Sequence, residues 1–146
     1  MGLVLLDTNI LIDHFNGIPE ATVEISYHEN VAISVITWSE VAVKLDTAEL
    51  ADFDRLVAAL PIYVLHTDDA IMRETARIRA ECIAANTAGT GRKMKTPDAI
   101  ILATSHLTGR TLVTRDADDF VTAARVPLRT PYSDSGGVVT DVAPPP

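Results

Sequence analysis

The chain has 146 residues, one cysteine, few aromatics and a shortage of positive charge. Cys82 has no partner within the chain, which excludes a disulfide scaffold and makes the cytoplasm the expected compartment. Aromatic residues amount to 5%, so the core must be filled by Ala, Val, Ile and Leu. Apolar runs such as Ala99 to Ala103 are far shorter than the ~20 residues of a membrane span, so no membrane association is expected. Near the start, Leu3 to Leu6 breaks off at Asp7 without a basic flank, which excludes a signal peptide, and Leu6 stands where a myristoylation motif needs Ser or Thr. Against 20 Asp and Glu there are only 12 Lys and Arg, a net charge of −8. On average such a surface repels phosphates, and composition alone ranks nucleic acid low among the partners.

What is present is a 47% hydrophobic chain of one-domain length, enough to bury a core and to exclude disorder as the main state. Leu3 to Leu6 has no helical period and reads as a buried strand, feeding a helix from Asn9 to Phe15. Helices are expected over Glu20 to Tyr27, Glu49 to Leu60, Asp68 to Asn86 and Ala99 to Leu107, the last with Thr96 as N-cap and Gly109 as its end. Another opens at Thr37, where Thr37-Trp38-Ser39-Glu40 matches the capping-box pattern, and a short one is expected over Asp116 to Ala124. Strands are expected at Val31 to Val35, Ile62 to Leu65, Thr111 to Thr114 and Val126 to Arg129. Alternation of this kind implies a single α/β domain with a mostly parallel central sheet flanked by helices. It occupies residues 1–132; residues 133–146, rich in Pro, Gly and Ser, read as an extended appendix.

Four acids follow apolar elements: Asp7, Glu40, Asp98 and Asp116. Side chains placed just after parallel strands converge at the carboxyl edge of the sheet, however far apart they lie in sequence. Each acid alone is explained as a helix cap or dipole partner. Gathered together they repel one another, and only Arg115 adjoins any of them, so a hard cation with oxygen ligands, Mg2+ or Mn2+, is the natural compensation.

Four blocks, Leu5-Leu6-Asp7-Thr8-Asn9-Ile10-Leu11-Ile12, the isolated Glu40, Pro97-Asp98-Ala99-Ile100-Ile101-Leu102-Ala103-Thr104 and Leu112-Val113-Thr114-Arg115-Asp116-Ala117-Asp118-Asp119-Phe120, stand in an order that resembles the PIN-domain family. Within it the chain is most similar to VapC-type toxin ribonucleases of toxin-antitoxin pairs. The resemblance spans Leu3 to Tyr132 and implies a metal-dependent endoribonuclease that inhibits translation or growth. Asp7, Glu40, Asp98 and Asp116 would then hold one or two Mg2+ or Mn2+ ions. The family's fourth block often has Asn at the position of Asp116, with a later acid matching Asp119, so Asp119 is a further candidate ligand. The resemblance also implies attack by water, leaving a 5′-phosphate and a 3′-hydroxyl, and a cognate VapB-type antitoxin whose C-terminal segment enters the acidic groove. A homodimer is expected on the same ground.

Thr8, Asn9 and Thr114 suit ligand-orienting or phosphate contacts, with capping and burial as the plain alternatives. Six of the 12 cationic residues fall between Arg73 and Lys95. Arg73 and Arg77 read as a solvated helix face, whereas Arg92, Lys93 and Lys95, just before Asp98, are candidates for RNA phosphates. Arg115 suits a site acid and a phosphate equally. The four histidines share no zinc-site spacing, and Cys82 and Trp38 read as packing residues. A receiver-like signalling domain would need two adjacent early acids and a late Lys, and an Asp-nucleophile phosphatase an acid where Asn9 stands. A PIN-like RNA-binding module without catalysis is disfavoured by the complete acid set.

Overall fold

β1, the aliphatic run Leu3–Leu6, sets the plan of the molecule. Its side chains alternate between two cores: Leu5 joins Ala32, Ile101 and Leu112, whereas Val4 and Leu6 join Ile33, Phe53 and Val113. A strand that is apolar on both faces requires cover on both. In the computed structural model, which describes residues 2–145, helices provide it; Met1 and Pro146, the outer ends of the two expected segments, lie outside the described residues.

The other parallel strands are β2 (Asn30–Ser34), β3 (Tyr63–Leu65), β4 (Thr111–Val113) and β5 (Leu128–Arg129), in the order β3-β2-β1-β4-β5. On one face lie α5 (Asp69–Thr87) and α6 (Thr96–Thr108), contributing Ile71, Ile78 and Cys82, and Ala99 to Ala103. On the other lie α1 (Thr8–Phe15), α2 (Pro19–Tyr27), α3 (Val35–Ala42) and α4 (Thr47–Ala59), with Ile10, Leu11, Ile25, Val41 and Phe53 buried. The expected α/β architecture with a parallel central sheet is the one observed. Cys82 is core and Trp38 stacks on Phe53, both as packing residues. Among the described residues, no helix is long and apolar enough to cross a membrane.

Several boundaries differ from the sequence reading. α3 starts two residues early because the Ser34 hydroxyl accepts from Ile36 N–H at 3.1 Å, so Thr37 lies inside the helix and forms no capping box with Glu40. The reciprocal box forms instead at α4, between Asp46 and Glu49. Thr96 is the first residue of α6 rather than its cap: Lys95 holds that position and offers no side-chain bond. Gly109 closes α6 at φ 66°, as expected. After β4 the expected helix from Asp116 to Ala124 is reduced to one 3-10 turn, Ala117–Asp119. The appendix is not extended either. β6 (Ser133–Ser135) and β7 (Val138–Thr140) form a hairpin around Gly136 and Gly137, both at positive φ as a two-residue turn requires. Val139 packs on the core beneath, and Arg129 donates to the Pro144 carbonyl at 3.1 Å, which folds the segment back on the domain.

Candidate active site

The chain leaves β1 towards β2 and returns to β4 on the other side of β1, so the strand order reverses between β1 and β4. In open parallel sheets that reversal leaves a crevice outside the carboxyl ends of the two strands. Asp7 N–H donates to Val113 C=O at 2.8 Å, carrying the pairing one residue past β1 and aligning Asp7 with Thr114. There Asp7 is the N-cap of α1, accepting from Thr8 N–H and from the Thr114 hydroxyl, each at 2.8 Å.

From this pair a polar network spreads. Thr8 donates its hydroxyl proton to Glu40 at 2.8 Å and takes a bond from Thr37 at 3.1 Å, which ties α3 to α1. Asn9 donates to Asp116 at 3.1 Å and lies 3.4 Å from the Thr114 hydroxyl, which also accepts from Asp116 N–H at 3.0 Å. Thus Asp7, Thr8, Asn9, Glu40, Thr114 and Asp116 stand in one connected set, drawn from α1 with its N-cap, α3 and the loop after β4. The Asp116 carboxylate, expected as a possible helix cap, makes no cap bond.

Asp98, in the first turn of α6, joins this set through charge rather than hydrogen bonds. Burial pushes its carboxyl above the usual range, and the negative charges of Asp119, Glu40 and Asp116 push it further against a partial offset from Lys95. Asp7, only 6% exposed, is pushed up to about 7. Burial is the largest cause, outweighing the bonds from Thr114 and Thr8, and Asp98 and Asp116 add to it. The set therefore carries more negative charge than its surroundings balance. Its donors are carboxylate oxygens, the chemistry that suits Mg2+ or Mn2+. Among the described residues, no three His, Cys, Asp or Glu side chains are already closed to metal-holding geometry, and Thr8, Thr114 and Asn9 occupy oxygens that would have to turn towards an ion.

The basic candidates divide. Arg92, Lys93 and Lys95 line a cleft of about 250 Å3 with Met94, Asp98 and Asp119, beside the acids. Arg92 is already paired there, with Asp119 at 3.0 Å. Arg115 pairs with Asp13 at 2.8 Å and lines a neighbouring cleft with Asp116 and Asp119. Arg77 spans Glu74 and Glu81 on the α5 surface, as a solvated helix face should. From sequence, Asp13 and Tyr132 have no role in the site, and Thr37 has only that of a helix cap. The i, i+4 spacing of Asn9 and Asp13 puts them on one face of α1 and was the available signal for Asp13.

A family model described as PIN domain matches residues 4–126. A search of curated proteins gives no match. Among solved structures the chain is similar to a toxin-antitoxin complex from Klebsiella pneumoniae, at 34% identity and TM-score 0.70, covering 90% of this chain and 99% of that one. It shares its fold with FitAcB from Neisseria gonorrhoeae, at 23% identity and TM-score 0.69, covering 88% of this chain and 97% of the other. VapBC2 from Rickettsia felis, bound to a promoter DNA fragment, matches at 19% identity and TM-score 0.68, covering 87% and 97%. Four ordered acid blocks, a β3-β2-β1-β4-β5 sheet and the family model over residues 4–126 agree: the chain belongs to the PIN domain family.

Proposed function

We propose that the chain is a metal-dependent endoribonuclease, the toxin of a toxin-antitoxin pair. One observation carries the reading: at the β1/β4 crevice the Asp7 and Asp98 carboxyls are held above their usual range by burial and by one another's neighbours, with too little positive charge on the protein to balance them. Asp7, Glu40, Asp98 and Asp116 would hold one or two Mg2+ or Mn2+ ions, with Asp119 reaching the site on release from Arg92. Bound there, the ion supplies a more acidic water and electrostatic stabilisation of the phosphoryl and leaving oxygens.

The chain's own groups have separate tasks. Thr114 and Thr8 fix the Asp7 and Glu40 carboxylates, and Asn9 fixes Asp116. Asp98, half-buried and with its carboxyl pushed upward by burial and neighbouring acids, or Glu40 would as a carboxylate orient the attacking water or accept its proton. Lys93 and Lys95 offer charge to RNA phosphates beside it, with Arg92 available if it leaves Asp119. The acidic crevice also suits a basic segment of a VapB-type antitoxin, a reading supported by the toxin-antitoxin complex to which the chain is 34% identical. A homodimer belongs to the same reading. Residues 1–132 would carry the nuclease, and the hairpin of 133–146 would be an addition to it.

Brief expression followed by sequencing of RNA ends tests this directly. New 5′-phosphate ends are expected, lost with Asp7→Asn. Unchanged RNA, or cleavage that survives Asp7→Asn, would contradict it; RNA bound without cleavage would favour the catalytically inactive module.

A further inference from the structure

The loop after β4 carries both Thr114, which fixes Asp7, and Asp116, yet regular structure does not hold it. Asp116 has φ −117° and ψ 60°, outside helix and strand, and among the described residues its carboxylate is hydrogen-bonded by Asn9 alone, across an exposed bond. Between them Arg115 reaches under the loop to α1. Its Nε donates to Asp13 Oδ2 at 2.8 Å and its Nη2 lies 3.4 Å from Oδ1. Asp13 is 3% exposed, and its Oδ2 also accepts the Tyr132 hydroxyl at 2.8 Å. Tyr132 is fully buried and comes from the segment after β5. One turn of helix away from Asp13, Asn9 Oδ1 accepts from Arg115 N–H at 3.3 Å. α1 therefore grips the loop at two levels, and the lower grip is a partly buried ion pair whose buried carboxylate is oriented by a phenol.

A buried carboxylate without a hydrogen-bonded cation is costly, so Asp13 and Arg115 hold each other in place. The guanidinium thereby committed is not free for a substrate phosphate. We infer that Asp13, with Tyr132 behind it, is a positioning residue: through Arg115 it fixes the 114–116 loop against α1 and so sets where Thr114 and Asp116 stand in the crevice. The consequence for ion binding rests on the reading of Asp116 as a metal ligand; the consequence for the loop does not.

Hydrogen–deuterium exchange of the metal-free full chain separates the two. Asp13→Asn should speed exchange of the Thr114, Arg115 and Asp116 amides by about tenfold while leaving β1 and α6 protected, because only the loop loses its anchor. Tyr132→Phe, which keeps the ring in the core, should give a smaller change in the same amides, and Asp13→Asn with Arg115→Gln serves if the single variant does not fold. In Mn2+ titrations Asp13→Asn should then weaken binding by about tenfold, the scale seen when groups behind metal ligands are removed. Unchanged exchange at 114–116, or exchange raised equally throughout the chain, would overturn the positioning role. Raised loop exchange with unchanged Mn2+ affinity would uphold the loop anchor and refute Asp116 as a metal ligand. Raised exchange confined to the loop, in a chain whose wild type binds no Mn2+, would uphold the loop anchor and refute the metal reading instead.

Discussion

Asp7 shows how one side chain can be both a cap and a liability. Its bonds to Thr8 and Thr114 order the start of α1, but its carboxyl pKa of about 7 lies far above the ordinary 3.8. A raised acid favours the folded state while protonated, and that contribution is lost as pH rises through about 7. Without metal, thermal stability should therefore fall from about pH 4 to about pH 7, by at most about 4 kcal/mol over that window, and level off above it. Asp7→Asn should remove that fall; an identical pH profile in the variant would show that Asp7 ionises normally. Glu24 works in the opposite sense. Burial disfavours its charge, but bonds from His28 and from Arg129 at 2.8 and 2.9 Å prevail and hold it at about 2. Its contribution is present above pH 4.5 and lost as pH falls towards 2. Arg129→Ala should cost about 3 kcal/mol at pH 7, as the breaking of a buried pair does, and flatten the acid limb of the stability curve. Urea unfolding across pH checks both, and an unaltered acid limb would mean that His28 alone holds Glu24. The site acids were legible as residues because each follows an apolar element. Asp13 was marked only by its i, i+4 spacing from Asn9, because its partners lie 102 and 119 positions away.

At the scale of elements, strand and helix identities were readable because aliphatic runs and capping signals alternate regularly. Their edges were harder. Ser34 and Thr37 can each cap a helix, and the winner is decided by where β2 releases the chain, which is a tertiary fact. The hairpin after Tyr132 escaped notice because its strands are three residues each and mostly polar; only Gly136-Gly137 signalled a turn. One contact between elements bears on the crevice. At Gly91 a Cβ would come within 2.6 Å of Thr122 Cγ2 and 3.0 Å of Ala85 Cβ, so the basic loop is pressed against the segment after the 3-10 turn. Arg92 N–H donates to Thr122 Oγ1 at 3.4 Å across the same contact. Gly91→Ala should cost about 1–3 kcal/mol through overpacking and move Arg92 off Asp119. Adding Thr122→Ala should recover part of that loss in Tm. No recovery would place the strain at Ala85.

For the molecule as a whole, the sheet order accounts for what composition concealed. A net charge of −8 argues against nucleic acid only if the acids are spread evenly. Here Asp7, Glu40, Asp98 and Asp116 come from positions up to 109 residues apart (116 − 7) and meet where β1 and β4 reverse the strand order, beside Lys93 and Lys95. A bound divalent ion would change the sign that a phosphate meets there. Sequence alone led to the parallel sheet, the acid set and its edge, whereas the gripping of the β4 loop by α1 and the folding back of the last residues depend on contacts that only the assembled sheet creates. That the crevice is a cation site is the claim on which the functional account turns. Calorimetric titration of Mn2+ into the wild-type chain and Asp98→Asn at pH 7.5 tests it most directly: saturable binding of one or two ions by the wild type, lost or greatly weakened in the variant, is predicted, and no binding by the wild type, or equal binding by both, would contradict it.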